Sequence, residues 1–459
     1  MEFKGCDVKG KKALVIGMAR SGAALAKVLV EQGAAVTAYD AKSGENMEPI
    51  RRMLGDTVTW ALGGDAMALV EEADLVFVSP GVPIGIAPLE RARELGIPVI
   101  GEVEYASRVS RAPLAAITGT NGKTTTTALL GHIMELTKKK TFVVGNIGIP
   151  FISIARETTP DDVVVAEISS FQMETADEFH PRAAAVLNIS EDHLNRHGTM
   201  QVYIDCKARI FERMRGDDCV VLNADEPMTR ALAERVKCRL AFFSRKERVE
   251  NGACVVDGKI ALMHGGVPCE LIEAKELRIP GGHNLENALA AAVLADAMGA
   301  QKEAICEGLR TFPGVEHRIE PAGQARGVTF INDSKGTNCD ATLRATHAMD
   351  RPTILLLGGY DKGSDYKPVF EDMPETIRAV VALGATKQRV VDNAKECGYA
   401  PVVTADSFEE AVRTAFEMAK PGENVLLSPA SASFDMFDDY EQRGRVFKAL
   451  AKQIAEETK

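Results

Sequence analysis

Short apolar runs alternate with helical patterns along most of the chain. Residues 13–18 (ALVIGM) read as a buried strand, apolar positions three and four apart follow as a helix, and residues 34–40 (AAVTAYD) read as a second strand. Further apolar runs at 73–83 and 97–101 continue the series. Strands that alternate with helices are typical of a parallel sheet, so this part predicts a small Rossmann-like unit.

The first turn of this unit carries Gly17 and Gly22, with Ala19 between them. In a dinucleotide-binding fold, a glycine at the middle position lets the backbone approach a pyrophosphate. Alanine there weakens the NAD interpretation. Plain packing of helix on strand is favoured instead, and a different ligand remains open.

The same alternation recurs twice more. The later predicted strands are LAAITG (114–119), KTFVVG (140–145), VVVAEIS (163–169) and AAAVLNI (183–189), then GVTFINDS (327–334), TILLLGG (353–359), AVVALGA (379–385) and NVLLSPA (424–430). The intervening segments are predicted to be helix or loop, and residues 281–300 form an alanine-rich helix.

The predicted fold class is therefore α/β with three domains, which suits a length of 459 residues. An N-terminal Rossmann-like domain spans 1–101, a central domain with a P-loop ATPase-like parallel sheet spans 102–313, and a Rossmann-like C-terminal α/β domain spans 314–459. Three such domains, one of them with a phosphate loop, lead us to expect a functional site at their shared cleft.

Composition narrows the function classes. A net charge of −11 argues against a nucleic-acid partner but leaves room for a local basic pocket. The nine cysteines, Cys6 among them, form no C-x-x-C pair, so we expect free thiols in a reducing compartment. No apolar run approaches the ~20 residues of a membrane helix, so we expect a cytoplasmic protein without membrane insertion.

The segment 117–126 (ITGTNGKTTT) follows an apolar strand and opens a helix. Gly122, Lys123 and Thr124 match the end of the P-loop pattern, whereas Ile117 stands where its first glycine belongs. A helix N-terminus attracts phosphate, Lys123 could reach outer phosphates and the Thr124 hydroxyl could bind magnesium. A plain turn would not explain a lysine followed by four threonines, so nucleotide binding is favoured.

Polar residues follow the next two strands. Glu167 ends an apolar strand, where a carboxylate faces the ligand crevice of a parallel sheet, and Mg²⁺ prefers such oxygen donors. A solvated strand end is the alternative. Asp192, His193 and His197 follow the next strand; each histidine is either structural or part of the same site.

Lys207 shares a helical face with Tyr203, Ile210 and Phe211. A lysine among apolar neighbours loses solvation, and its pKa falls. A neutral amine can add CO₂ to form a carbamate, which is a carboxylate-like metal ligand. The alternative is a surface lysine whose amine snorkels to water.

Several of these segments together resemble the Mur ligases, the ATP-dependent amide-forming enzymes of peptidoglycan precursor synthesis. The segments are GTNGKTT, EISSFQ, DHLNRH with its downstream lysine, GGHNLENA, EHR, NDSKGTN and SPASASFDMF with YEQRG. The resemblance covers the chain in order. In this family the phosphate loop has the shortened form that begins here at Gly119, so Ile117 is no defect.

The resemblance implies residue roles for the nucleotide and the metals. The catalytic residues would be Lys123, Glu167, His193, Lys207 and Lys335. ATP would be bound by Gly119, Asn121, Gly122, Lys123, Thr124, Thr125, Asn284, Asn287, Arg318 and Asp333. Two Mg²⁺ ions would be held by Thr124 and Glu167, and by His193 and a Lys207 that carries CO₂ as a carbamate.

The closing segments are most similar to the family member that adds D-glutamate to UDP-N-acetylmuramoyl-L-alanine. The sugar nucleotide would be bound by Arg20, Ser21, Asp40, Asn146, Ser169 and Gln172. D-glutamate would be bound by Thr337, Lys362, Ser433, Phe434 and Tyr440. Phe434 and Tyr440 stand where apolar residues are expected in the family. The protein is expected to be a monomer.

Three alternatives stay open at this point. Another ligase of the family could add a different amino acid, or the chain could be a nucleotide-binding regulator without catalysis. An NAD oxidoreductase is the third alternative. The set Lys123, Glu167, His193 and Lys207 argues against the regulator, and Ala19 argues against NAD.

Overall fold

A computed structural model describes residues 7–42, 47–279 and 281–458. The described chain divides into two compact units. The first comprises residues up to Leu277 together with Glu286–Phe312, and the second comprises Arg278–Leu285 and the residues from Pro313 onward. Cys6 lies outside the described residues.

The N-terminal sheet is parallel, as predicted. Among the described residues its strands follow the order β3-β2-β1-β4-β5. They are β1 (Lys12–Ile16), β2 (Ala35–Asp40), β3 (Thr59–Leu62), β4 (Leu75–Val78) and β5 (Val99–Gly101). The helices are α1 (Arg20–Glu31), α2 (Glu48–Leu54), α3 (Met67–Glu71), α4 (Ala87–Glu94) and α5 (Glu102–Val109). Strand β3 was not predicted, because its side chains are only partly buried.

Packing explains the glycine pair of the first turn. A Cβ on Gly22 would lie 1.8 Å from the carbonyl oxygen of Gly17, so only glycine allows this approach of helix to strand. The turn is also held by Asp40, whose Oδ2 accepts the backbone N–H of Met18 at 2.7 Å.

The middle sheet begins as predicted and then departs from the prediction. In the described chain its order is β14-β13-β12-β11-β10-β9-β6-β8-β7. The strands are β6 (Leu114–Thr118), β7 (Thr141–Gly145), β8 (Val163–Glu167), β9 (Ala183–Val186), β10 (Gly216–Asn223), β11 (Cys238–Ser244), β12 (Gly252–Val256), β13 (Lys259–His264) and β14 (Val267–Glu273). The four predicted strands, β6 to β9, are parallel, whereas β12 to β14, which were not predicted, pair antiparallel at one edge.

The middle helices flank the parallel part. They are α6 (Lys123–Leu136), α7 (Ile152–Ala155), α8 (Ser170–Met173), α9 (Leu194–His197), α10 (Met200–Ala208), α11 (Pro227–Ala231), α12 (Gly282–Ala297) and α13 (Lys302–Thr311). Every residue of β6, β8 and β9 is buried, since a parallel sheet is covered on both faces. These continuous apolar runs explain why the pattern predicted these three strands correctly.

The C-terminal sheet places four loops at one edge. Over the described residues its order is β15-β16-β20-β17-β18-β19, with only β15 antiparallel. The strands are β15 (Glu320–Ala325), β16 (Val328–Asn332), β17 (Thr353–Leu357), β18 (Ile377–Ala382), β19 (Val402–Thr404) and β20 (Asn424–Leu427). The helices are α14 (Cys339–His347), α15 (Lys367–Glu371), α16 (Lys387–Glu396), α17 (Phe408–Met418) and α18 (Tyr440–Glu457). Loops after β16, β20, β17 and β18 therefore gather at the carboxyl edge, where α/β sheets bind ligands.

Glu102, the first residue of α5, is a buried carboxyl with a pH-dependent effect on stability. Its side chain accepts the Ile152 backbone N–H at 2.7 Å, and burial raises its pKa to about 7. The folded protein therefore holds a proton that the unfolded chain releases above its ordinary pKa near 4.5. The stabilisation that Glu102 contributes to the folded protein is complete below pH 4.5 and is lost as the pH rises towards 7.

Replacement of Glu102 by glutamine is expected to flatten this pH dependence. The amide mimics the protonated carboxyl. The free energy of unfolding of the variant should therefore equal that of the parent near pH 4.5 and exceed it at pH 8 by about 3 kcal/mol at most. Urea unfolding of both proteins across this range measures the difference. The exposed Glu157→Gln is the control, and parallel stability curves for Glu102→Gln and the parent would contradict the prediction.

Candidate active site

The predicted phosphate loop connects β6 to α6 and is held by an asparagine on the neighbouring strand end. Asn188 Oδ1 accepts the backbone N–H of Asn121 at 2.8 Å, and Asn188 Nδ2 donates to the Asn121 carbonyl at 3.0 Å. The Asn188 carbonyl also accepts the Thr120 N–H at 2.9 Å. These three bonds fix the loop in one conformation.

Gly122, at the N-terminus of α6, adopts a left-handed backbone with φ of 83°. A Cβ at this position would lie 2.3 Å from Oδ1 of Asn287. The same oxygen accepts the Thr126 hydroxyl at 3.3 Å. The structure therefore places Asn287 against the loop, and Asn284 is buried near the start of the same helix, α12.

Two lysine amines meet at one carbonyl oxygen of the loop. Lys123 Nζ donates to the Gly119 carbonyl at 2.9 Å and to the Thr120 carbonyl at 2.7 Å. Lys207 Nζ donates to the same Gly119 carbonyl at 2.7 Å. The positive charge of Lys123 makes this loop attractive to a polyphosphate, and the Lys207 amine lies against the same carbonyl oxygen.

Lys207 is buried, with 2% of its surface exposed, so the snorkelling alternative is wrong. Burial and then the neighbouring charge of Lys123 hold the pKa of Lys207 well below its usual value. Its amine lies 4.4 Å from the ring centroid of Tyr203, whose hydroxyl is 3.1 Å from the Thr120 hydroxyl. Tyr203 thus connects the lysine to the phosphate loop.

Glu167 lies at the carboxyl end of β8 and is 1% exposed. Its Oε1 accepts the Asn146 side-chain amide at 2.8 Å, while Oε2 is buried with no hydrogen-bond partner among the described residues. A buried carboxylate oxygen that lacks a donor is costly unless a cation binds it. The residue therefore fits a hard divalent cation such as Mg²⁺.

The two histidines after β9 differ in environment. His193 is half-exposed, adopts a left-handed backbone, and lies 3.5 Å from Asp192 and 4.9 Å from the Phe171 ring. His197 is buried, with its Nε2 3.0 Å from the Ser170 hydroxyl, and burial lowers its pKa. His197 is therefore structural in this structure, and His193 is the accessible imidazole.

The residues predicted to bind a sugar nucleotide have local partners. Ser169 and Gln172 form a reciprocal capping box at α8, in which the Ser169 N–H donates to the Gln172 side chain at 2.8 Å. Arg20, at the start of α1, donates to the Gly148 carbonyl, and Ser21 follows it on the same helix. Their roles towards a ligand stay predictions.

In the second unit, Asp333 follows β16 and is fully buried. The Ser428 hydroxyl donates to its Oδ2 at 2.7 Å, and burial raises its pKa to about 7 although Arg318 opposes the shift. Lys335, two residues on, lies with its amine 5.3 Å from the Tyr440 ring. These residues belong to the loop after β16 and the start of α18.

The remaining predicted residues of this unit occupy loops at the carboxyl edge of its sheet. Thr337 follows β16, Lys362 follows β17, and Ser433 and Phe434 follow β20. Ser433 is buried, whereas Lys362 and Phe434 are exposed. The topology thus places these residues on neighbouring loops.

The comparisons with known proteins cover the chain from end to end. Residues 11–101 match the family model of the Mur ligase MurD-like N-terminal domain. Residues 117–295 match the model of the Mur ligase middle domain, and residues 317–431 match the model of the Mur ligase glutamate ligase domain. The chain belongs to the Mur ligase family. Two of its most similar curated relatives are UDP-N-acetylmuramoylalanine–D-glutamate ligases. The one from Thermoanaerobacter sp. (strain X514) is 46% identical over 98% of this chain and 99% of its own length. The one from Koribacter versatilis is 42% identical over 99% of this chain and 100% of its own length.

Solved structures of Mur ligases show the same fold. A pseudomurein peptide ligase type C from Methanothermus fervidus has a TM-score of 0.59 at 20% identity and covers 97% of this chain and 100% of its own. MurF ligase from Thermotoga maritima in complex with ADP has a TM-score of 0.58 at 16% identity. The match covers 99% of this chain and 97% of that structure's chain. The predicted three-part α/β architecture is confirmed.

Three residues that support the site in this Mur ligase were not predicted as site residues from the sequence. Asn188 and Tyr203 brace the phosphate loop as described above. For Asn188, the available signal was a polar residue two positions after the buried strand β9. Arg443 is 1% exposed and donates to the Ser334 hydroxyl at 2.9 Å and to the carbonyls of Ser431 and Ala432 at 3.1 Å. It joins two loops of the second unit, and its spacing from Phe447 and Leu450 on α18 could have indicated burial.

Two expectations about the whole chain can be compared with the structure. Within the described ranges no helix has both the length and the apolar character to cross a bilayer. The eight cysteines of those ranges are all free thiols, as predicted.

Proposed function

We propose that this protein is an ATP-dependent ligase that joins D-glutamate to UDP-N-acetylmuramoyl-L-alanine in cytoplasmic peptidoglycan precursor synthesis. The observation that carries the proposal is the buried Lys207, whose amine shares the Gly119 carbonyl with Lys123 at the phosphate loop. Full-length relatives named for this reaction support the choice of substrates. We further propose that domain 1–101 binds the sugar nucleotide, 102–313 binds ATP, and 314–459 binds the amino acid.

The proposed reaction has two steps. The terminal carboxylate of the L-alanine attacks the γ-phosphate of ATP, which gives an acyl phosphate and ADP. The amine of D-glutamate then attacks the acyl carbon, and phosphate leaves. Both steps depend on positioning and on neutralising negative charge rather than on covalent chemistry by the protein.

The phosphate loop supplies most of this positioning. Lys123 would move its amine from the loop carbonyls to the β- and γ-phosphates, because phosphate oxygens are stronger acceptors for a cation. The N-terminus of α6 would donate backbone N–H groups, with Gly119, Asn121, Gly122, Thr124 and Thr125 around the phosphates. Asn284 and Asn287 would contact adenine, and Arg318 and Asp333 remain ATP contacts proposed from the resemblance.

Magnesium would supply charge neutralisation to the phosphates. The unsatisfied Glu167 Oε2 and the Thr124 hydroxyl would hold one ion. His193 and a carbamylated Lys207 would hold the second. The carbamate forms when the neutral Lys207 amine adds to the carbon of CO₂ and loses one proton, and the low pKa of this lysine favours that chemistry.

The substrates would occupy the remaining predicted residues. Arg20, Ser21 and Asp40 would bind the uridine diphosphate end, and Asn146, Ser169 and Gln172 the sugar and its alanine. Lys335 is proposed as catalytic in the second unit. Thr337, Lys362, Ser433, Phe434 and Tyr440 are the proposed D-glutamate residues. A monomer remains our expectation.

Phosphate release from ATP tests the function directly. With UDP-N-acetylmuramoyl-L-alanine present, release is expected with D-glutamate and not with L-glutamate, L-lysine or diaminopimelate. Release with a different amino acid would keep the ATP and metal assignments and discard the D-glutamate residues. If none of the four supports release, a regulator without catalysis becomes the better interpretation.

A further inference from the structure

The second unit exposes a pair of packed aromatic side chains, Tyr360 and Phe434. They are 43% and 64% exposed, and their ring centroids lie 5.8 Å apart at 81°, an edge-to-face contact. Large apolar side chains are usually buried. In the described part of this unit, the one other large apolar side chain with more than a third of its surface exposed is that of Val446, at 36%. The pair therefore has a cost in water that a ligand contact would offset.

The pair is fixed in place by backbone contacts rather than by burial of the rings. Tyr360 follows β17 and Phe434 follows β20, which are neighbouring strands. The Tyr360 N–H donates to the Ala432 carbonyl at 3.0 Å. A Cβ on Gly359 would lie 2.6 Å from the same carbonyl oxygen, so the two loops touch with no room between them. The rings are thus presented at the carboxyl edge of the sheet on a rigid support.

Charged side chains of both signs adjoin the pair; Asp435, which follows Phe434, accepts the Ala385 N–H at 3.0 Å. Lys362 lies two residues after Tyr360. The acidic side chain between them, Asp361, is neutralised by two contacts with Arg389 at 2.6 and 2.8 Å and also accepts the Gly363 N–H at 2.7 Å. The carboxylate is thereby held by other partners. Lys362 and Tyr360 are thus two residues apart on one loop, and an ammonium group near an aromatic surface matches a ligand with a carboxylate on a short methylene chain.

We propose that Tyr360, supported by Phe434, determines specificity for the amino-acid substrate by packing its ring against the side-chain methylene groups of D-glutamate. This inference rests on the proposed function and adds a residue that the sequence analysis did not select. Lys362 and Ser433 would bind polar groups of the ligand. The Tyr360 ring would contact its methylene groups, so that affinity would depend on how many methylene groups the ligand has. A ligand with one methylene fewer, D-aspartate, would lose part of that contact.

The test is steady-state phosphate release at saturating ATP and UDP-N-acetylmuramoyl-L-alanine, with D-glutamate varied. Tyr360→Ala is expected to raise KM for D-glutamate roughly tenfold, as loss of contact with two methylenes implies. The KM for ATP should stay within about twofold of the parent. The preference for D-glutamate over D-aspartate should narrow. Tyr360→Phe should behave as the parent, because the described residues give its hydroxyl no hydrogen-bond partner.

The controls separate this inference from folding and from the function itself. Val446→Ala removes another exposed apolar side chain of the same unit and should leave every KM unchanged. An unchanged KM for D-glutamate in Tyr360→Ala would overturn the inference, as would an equal rise in the KM for ATP. If the parent protein shows no release with D-glutamate, the proposed function has failed instead.

Discussion

Replacement of Lys207 by alanine is expected to reduce ligase turnover by about 100-fold or more, the usual cost of removing one group that stabilises transition-state charge. The lysine is 2% exposed, its pKa is lowered by burial and by Lys123, and its amine lies 2.7 Å from the Gly119 carbonyl. As a carbamate it would carry a carboxylate to the phosphate loop. Added formate or acetate should then restore part of the activity by supplying that carboxylate.

The measurement is phosphate release with all three substrates, with and without the short carboxylates. Lys207→Arg serves as the sharper variant, because a guanidinium stays charged and cannot add CO₂. It should be as inactive as Lys207→Ala and should not respond to acetate. Lys139→Ala, at an exposed lysine of the same unit, is the matched control. Full activity of either Lys207 variant would remove the carbamate role.

Replacement of Gly122 by alanine is expected to impair both stability and ATP binding. A left-handed backbone costs an alanine about 1–2 kcal/mol, and φ here is 83°. The added Cβ would also lie 2.3 Å from Asn287 Oδ1, so the loop or α12 must shift. Either shift moves the backbone N–H groups that the phosphates require, and we expect the KM for ATP to rise at least about tenfold.

Thermal unfolding with and without ATP and Mg²⁺ measures both effects. The Gly122→Ala protein should unfold at a lower temperature than the parent, and the nucleotide should raise its unfolding temperature less. Gly85→Ala is the control, since a Cβ there meets nothing within 4 Å. If Gly122→Ala binds ATP like the parent, the loop is not the nucleotide site in the form proposed.

The local features of the site were predictable because they depend on neighbouring residues. The strand–loop–helix order around residues 117–126 follows from one apolar run, two glycines and a helical pattern. The burial of Lys207 follows from Tyr203, Ile210 and Phe211 on one helical face, and all four side chains are buried. The position of Glu167 follows from the end of an apolar strand.

Features that depend on pairing between distant segments could not be read in the same way. Strands β12 to β14 are partly exposed and mixed in composition, so their antiparallel pairing was missed. Helical spacing could have indicated that Arg443 is buried, but it could not name Ser334 and Ser431 as its partners. These partners lie 109 and 12 residues away in the chain.

The amino-acid sequence alone was enough to predict the α/β class, the phosphate loop, the apolar setting of Lys207 and the resemblance to the Mur ligases, because each depends on a local pattern or motif. The three-dimensional structure was needed to show that Lys207 and Lys123 share the Gly119 carbonyl and that Tyr360 packs on Phe434. It was also needed to show that Glu167 Oε2 is buried and has no hydrogen-bond partner among the described residues. The observation on Glu167 concerns which atom of a side chain has a hydrogen-bond partner. The Lys207–Gly119 contact joins residues 88 positions apart, and the Tyr360–Phe434 contact joins the loops after two different strands. Such distances are set by the packing of whole sheets, which no local pattern contains.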